Sequence, residues 1–247
     1  MDQIHPSFEK FIQENLNRVM ERIEAAAITS GRDPQSVKLV VVTKTQPLEL
    51  VEAVIAAGAR YLGENYADEA LLKIDALRAN RQVQWHMIGH VQSRKADIVC
   101  KKFDYVHSLD SLKLAKRYNR FAGEINRKLP VLLQFNVSGE ETKSGWDAWQ
   151  EQQWLQLIPE LEQITALEHL QVQGVMTMPP YTANPNDARP YFRRLVHLRD
   201  FLISRFPRTS WDELSMGMSG DFEVAIQEGS TWVRIGQAIL GPRICKV

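Results

Sequence analysis

Apolar residues repeat with two different spacings along this chain. Near the N-terminus they recur every three to four residues, which predicts an amphipathic helix that Gly31, Asp33 and Pro34 end. The apolar positions of this helix are Phe8, Phe11, Ile12, Leu16, Val19 and Ile23. From Val37 onward, short apolar runs alternate with longer amphipathic stretches, beginning with VKLVVVTK and PLELVEAVIAAG. This alternation is typical of α/β proteins, in which strands and helices alternate along the chain.

Eight of the apolar runs are strand candidates. They are VKLVVVTK, RYLGEN, VQWHMIG near 83, DYVHSL near 104, LPVLLQFNVS near 129, LQVQGVMTM near 170, WDELSMGM near 211 and TWVRIG near 231. Seven helical stretches separate them, without a Pro/Gly/Ser linker or a low-complexity tract. We therefore predict an α/β protein, a single (β/α)8 TIM-type barrel domain over residues 1–247 with an extra N-terminal helix. An open, doubly wound sheet is the alternative.

Composition narrows the class of partner. The 30 basic residues balance the 30 acidic residues, so no net field draws the chain to nucleic acid or to an anionic membrane. Cys100 and Cys245 have no spacing typical of a disulfide framework or a zinc site. The N-terminus lacks the apolar run of a signal peptide, and no uncharged apolar run approaches the roughly 20 residues of a membrane span. We expect a cytoplasmic protein with a small-molecule ligand and no metal.

The first strand ends on a lysine, in VVVTKTQP. Because a buried ammonium is costly, Lys44 needs a chemical or structural reason. In an apolar barrel mouth, desolvation favours the neutral amine, which is nucleophilic toward a carbonyl and forms a Schiff base. The alternative is a structural ion pair with Glu64 or another acid. Spacing alone leaves both interpretations open.

Other polar or flexible residues also follow the predicted strands. Since the carboxyl ends of barrel strands meet at one mouth, we expect these side chains to converge there. They are Asn65, His86, Asn136, Met176, Ser215, Ser219 and Arg234.

The last two strand ends have features of a phosphate site. SMGMSGDFEVAIQEG predicts a strand, a glycine turn and a helix opening at Ser219, whose hydroxyl and amides suit a phosphate. VRIGQAILGP adds the amides of Gly236 and Gln237. Loops after strands seven and eight form phosphate sites in many such barrels. A lysine, an arginine and phosphate donors would bracket a flat phosphorylated aldehyde, and pyridoxal 5'-phosphate meets that description.

Seven ordered motifs carry a family resemblance. They are VVVTKTQP, YLGENYADE, WHMIGHVQSRK, FNVSGEETKSG, GVMTMPP, SMGMSGDFEVAI and VRIGQAILG. Over almost its whole length the chain resembles YggS/PROSC-type pyridoxal phosphate homeostasis proteins, which share the barrel of the N-terminal domain of alanine racemase. Two positions depart from the pattern: Gln237 stands where Thr or Ser is common, and Arg94 stands where Asn is usual.

The resemblance implies a set of cofactor-binding residues. Lys44 would hold pyridoxal 5'-phosphate as a Schiff base, and Arg234 would reach either the ring, which we favour, or the phosphate. The remaining expected residues are Asn65 and His86 along the ring, Ser219, Gly236 and Gln237 at the phosphate, and Met218 in the same SMGMSG segment. For Gln237 we expect the backbone amide, not a hydroxyl, to make the contact.

The resemblance also implies a role in vitamin B6 and amino-acid/keto-acid homeostasis, as a monomeric carrier or regulator that serves apo-enzymes dependent on the cofactor. We expect no catalysis. The chain ends at Val247, which leaves no room for the second racemase domain, and a guanidinium beside the pyridine nitrogen would weaken the ring as an electron sink. The alternatives are a pyridoxal-phosphate-dependent racemase or lyase, and a Schiff-base aldolase that is colourless because it uses no cofactor.

Overall fold

The computed structural model describes residues 6–77 and 82–241, with side chains from residue 8 onward. The described strands are β1 Lys38–Val42, β2 Tyr61–Glu64, β3 Gln84–Met87, β4 Tyr105–Leu109, β5 Leu129–Asn136, β6 Trp146–Asp147, β7 Leu170–Met176, β8 Glu213–Ser215 and β9 Trp232–Ile235. All pair in parallel, in the order β4-β3-β2-β1-β9-β8-β7-β5, with short β6 added to the end of β5. A further pairing between β4 and β5 closes the barrel. This closure confirms the predicted barrel and excludes the open sheet.

Helices cover the outside of the barrel. Their bounds are α1 Pro6–Thr29, α2 Leu48–Ala56, α3 Ala67–Ala76, α4 Ala96–Lys102, α5 Leu112–Glu124, α6 Ile158–Thr165, α7 Arg189–Arg205, α8 Phe222–Gln227 and α9 Gln237–Leu240. Helix α1 is the predicted extra N-terminal helix, and it packs on α8 and α9. The helix expected to open at Ser219 begins instead at Phe222. Within the described ranges, no helix has the length and apolar character needed to cross a bilayer.

Strand alternation separates two apolar cores. On β1, Val40 belongs to the small core inside the barrel, where it meets Ile88 and Trp232. Val41 belongs to the larger core between barrel and helices. Because side chains alternate along a strand, continuing this pattern places Thr43 on the helix side of β1.

Candidate functional site

A cavity of about 260 Å³ lies at the carboxyl ends of the barrel strands. Its lining includes all but one of the residues predicted to bind a cofactor, namely Lys44, Asn65, Met218, Ser219, Arg234, Gly236 and Gln237. Other lining residues did not stand out in the sequence, among them Gln46, Met178, Tyr181 and Asp221. The structure therefore brings the two predicted cations and both predicted phosphate segments to one cavity.

The backbone turns sharply just after Lys44. Thr45 adopts a left-handed conformation with φ of 61°, which costs a β-branched residue on the order of 1–3 kcal/mol. Its N–H donates to Glu69 Oε1 at 2.8 Å. Glu64, the acid named as an alternative partner for Lys44, accepts through Oε1 from Lys73 Nζ at 2.9 Å and from Thr43 Oγ1 at 2.7 Å.

Arg234 is held at the inner wall of the cavity. Its Nη1 donates to Ser215 Oγ at 2.5 Å, and its Nη2 donates to the Thr177 carbonyl at 3.0 Å. Burial lowers the pKa of Arg234 to about 10, so the guanidinium stays protonated at neutral pH. A fixed cation therefore lies in the same cavity as Lys44.

His86 differs from the expectation, since it lies beneath the cavity and not along its lining. It is fully buried and stacks on Tyr105, with ring centroids 5.2 Å apart and an interplanar angle of 5°. The register explains this depth, because His86 pairs with Gly63 and so lies below the level of Asn65. Burial, together with the Lys38 charge, lowers the pKa of His86 to about 3, so it is neutral at physiological pH.

A chain of hydrogen bonds joins His86 to the arginine. His86 Nδ1 lies 2.8 Å from His107 Nε2, and His107 Nδ1 lies 2.8 Å from Ser215 Oγ. Burial also lowers the pKa of His107. Arg234 only donates, so Ser215 Oγ accepts its hydrogen bond, and each neutral imidazole carries one N–H in this chain. The two neutral imidazoles support Arg234 from below.

Three other strand-end residues also lie outside the cavity lining. Ser215 acts through Arg234, and Met176 belongs to the small core inside the barrel. The Asn136 side chain organises the loop after β5, where its Oδ1 accepts from the amides of Ser138 and Gly139. These three residues therefore support the surrounding structure and do not line the cavity, where the sequence had predicted them.

The two late segments approach each other at the mouth. The amide of Ala238 points to Ser219 Oγ at 3.5 Å, and a Cβ on Gly236 would lie 3.1 Å from the Val42 carbonyl oxygen. This close approach sets the Gly236 turn against the end of β1. Within the described residues, the N–H groups of Ser219 and Gly220 donate to no backbone carbonyl, so they are available to a ligand.

Asp221 is the one acidic residue among the lining residues that sequence reasoning missed. Its Oδ1 accepts from the Met218 amide at 2.6 Å, which closes the turn after β8. Burial raises the pKa of this carboxyl. The sequence gives no Asx-turn signal for this contact, because an Asx turn joins the side chain to backbone two residues later, whereas Asp221 accepts from an amide three residues earlier. Its place beside predicted phosphate donors is unexpected for an acid.

Comparison with known proteins places this geometry in a family. Residues 12–243 match the family described as alanine racemase, N-terminal domain. The chain belongs to this family. An alanine racemase from Clostridium difficile shares its fold, with a TM-score of 0.66 at 16% identity over 98% of this chain and 58% of that chain.

Nearer relatives in the family cover both chains almost completely. A pyridoxal phosphate homeostasis protein of Aquifex aeolicus is 41% identical over 231 residues, which is 93% of this chain and 97% of the relative. One from Pseudomonas aeruginosa is 42% identical over 233 residues, 94% of this chain and 96% of the relative. The structure of PipY from Synechococcus elongatus with PLP bound has a TM-score of 0.80 at 32% identity, over 93% of this chain and all of PipY.

Proposed function

We propose that this protein binds pyridoxal 5'-phosphate through Lys44 at the barrel mouth and acts in vitamin B6 and amino-acid/keto-acid homeostasis as a carrier or regulator. One observation carries the proposal: Lys44, Arg234 and two segments rich in amide donors share a single cavity. The names of the Aquifex aeolicus and Pseudomonas aeruginosa relatives, and the bound PLP of PipY, support the same ligand.

The chemistry of the lining fits this cofactor. When bound, pyridoxal phosphate supplies an aldehyde that condenses with a lysine amine to a Schiff base and releases water. Lys44 provides the amine, while the Ser219 hydroxyl and the amides of Gly236 and Gln237 provide phosphate donors. Asn65 and Met218 lie in the same lining. Arg234 remains a cation, which suits either the phosphate or the ring nitrogen.

The supporting residues favour cofactor holding over amino-acid chemistry. An arginine at the ring nitrogen is a poor acid, so it would leave that nitrogen unprotonated and the ring a weak electron sink. His86 and His107 are fully buried and neutral, and neither belongs to the cavity lining. The described residues thus offer these imidazoles as supports for Arg234, not as acid/base groups. This supports a carrier, which we further propose to be cytoplasmic and monomeric and to serve apo-enzymes.

The test is attachment at Lys44. Purified protein incubated with pyridoxal phosphate should become yellow, and borohydride reduction should fix one pyridoxyl group on Lys44. Lys44→Ala should abolish both signals, whereas Lys95→Ala, which removes a surface lysine paired with Asp68, should change neither. A pyridoxyl group found mainly on Lys38, Lys143 or another lysine would contradict the proposal.

A further inference from the structure

A charged cluster of two buried residues and one partly exposed residue lies behind Lys44, between helix α3 and the ends of β1 and β2. We call Glu64, Lys73 and Glu69 the cradle. The Lys73 side chain is only 7% exposed and the Glu64 side chain 0%, and their charged atoms lie 2.9 Å apart. Lys73 Nζ also lies 3.8 Å from Glu69 Oε1. Nothing in the cavity chemistry requires these charges, since none of the three lines the cavity.

The cradle forms hydrogen bonds with the peptide groups on both sides of Lys44. On the N-terminal side, Lys73 Nζ donates to the Thr43 carbonyl at 2.8 Å. On the C-terminal side, Glu69 accepts from the Thr45 amide at 2.8 Å. Glu64 ties the Thr43 hydroxyl and Lys73 together. One connected set of charge-assisted hydrogen bonds thus fixes the backbone immediately before and after the lysine.

Stability alone does not account for this arrangement. Apolar residues of similar volume often replace a buried ion pair without loss of stability, so the bond from Lys73 to the Thr43 carbonyl, and not stability, is the reason to look for a positional role. The Thr45 backbone conformation is one that a β-branched residue adopts only when its surroundings impose it. Three hydrogen bonds hold this turn: the Thr45 amide donates to Glu69, the Gln46 amide donates to the Thr43 carbonyl at 3.1 Å, and the Thr45 hydroxyl donates to the Lys44 carbonyl at 2.6 Å. Of these, only the bond to Glu69 comes from another element of the fold.

We propose that Glu64, Lys73 and Glu69 are positioning residues that aim Lys44 into the cavity by fixing the peptide groups on either side of it. The inference deepens the proposed function and rests on it for the aldehyde with which Lys44 reacts. Without Glu69 as acceptor, the left-handed turn at Thr45 keeps only its two local hydrogen bonds, so the Lys44 side chain is aimed less firmly at the ligand. The phosphate segments on β8 and β9 are untouched by that change.

Glu69→Ala is the informative variant, because the Glu69 side chain is 37% exposed and its loss leaves the apolar core intact. The matched control is Asp68→Ala. It removes a carboxylate from the same first turn of α3, where Asp68 pairs with surface Lys95. Glu69→Gln keeps an oxygen acceptor for the Thr45 amide without the charge, and serves as the conservative rescue.

Two readouts are measured for each variant. The first is the rate at which pyridoxal phosphate forms a borohydride-reducible adduct at Lys44, set against the affinity for inorganic phosphate as a competitor. We expect Glu69→Ala to slow the adduct about tenfold with unchanged phosphate affinity, while Asp68→Ala and Glu69→Gln stay within about twofold of the parent protein. The second is amide hydrogen exchange at Thr45 without ligand, which should speed up about tenfold in Glu69→Ala alone.

Amide exchange at Thr45 distinguishes the positioning role of the cradle from the proposed function. If the parent protein forms no adduct at Lys44 but its Thr45 amide is protected and loses protection in Glu69→Ala, the cradle stands and the proposed function falls. If Glu69→Ala matches Asp68→Ala in both readouts, the cradle is overturned even where the adduct forms normally. A parallel loss of phosphate affinity would also overturn it, because the effect would then be a general distortion of the mouth.

Discussion

Breaking the buried ion pair at Lys73 should have a large and unusual effect on stability. Lys73→Met keeps an unbranched side chain, one heavy atom shorter, but removes the ammonium, leaving the Glu64 carboxylate fully buried without its cation. Loss of one partner of a buried pair typically costs about 3–5 kcal/mol in the free energy of unfolding. For a chain of this size, each kcal/mol lowers the melting temperature by roughly 2–4 °C, so we expect a decrease of about 6–20 °C.

The pH dependence of this stability loss tests whether the buried Glu64 charge causes it. In the parent protein, burial raises the pKa of Glu64, and the charge and hydrogen bond of Lys73 partly oppose that rise. An acid whose pKa is higher in the folded than in the unfolded state stabilises the fold at low pH, and this contribution is lost as pH rises through the folded-state pKa. Lys73→Met removes the opposing charge and raises that pKa further. The deficit against the parent should therefore grow as pH rises toward neutrality and shrink on acidification.

Urea unfolding followed by circular dichroism between pH 5 and pH 8 measures both effects. The double variant Glu64→Gln/Lys73→Met removes both charges and should recover most of the lost stability, since no charge is left buried. Lys95→Met breaks the exposed pair with Asp68 and should cost less than about 1 kcal/mol. A Lys73→Met deficit that equals that of Lys95→Met, or that does not change with pH, would refute the reasoning.

Two further predictions concern the ligand. Gly236→Ala should weaken phosphate binding about tenfold in a competition titration, because the new Cβ would press on the Val42 carbonyl oxygen at 3.1 Å; an affinity equal to that of the parent protein would argue against the turn as a phosphate site. Holo-protein mixed with a pyridoxal-phosphate-dependent apo-enzyme should restore that enzyme's activity while staying folded and monomeric by light scattering. Robust amino-acid turnover by the protein itself, lost in Lys44→Ala, would favour the racemase or lyase alternative instead.

Local patterns in the sequence were sufficient for the barrel and for much of the cavity. The first strand ends at Val42, two residues before the lysine at which the sequence predicted its end, and Lys44 still lines the cavity. Glycine turns at SMGMSGD and VRIGQ marked two further segments that line the cavity. These inferences hold because every strand of a parallel barrel delivers its carboxyl end to the same mouth, whatever the register between neighbours.

Two features depended on tertiary structure: how deep His86 lies inside the barrel, and which residue forms an ion pair with Glu64. His86 follows an apolar run much as Asn65 does, but pairing with Gly63 places it one layer below the cavity. Glu64 was a candidate partner for Lys44 in the sequence, whereas Lys73 has the spacing of an ordinary helical lysine; only the packing of α3 on the barrel brings Lys73 to Glu64. The physical reason is that a strand's own sequence determines which side chains share a face of the strand. The register between neighbouring strands and the position of each helix on the barrel depend on packing across the whole domain.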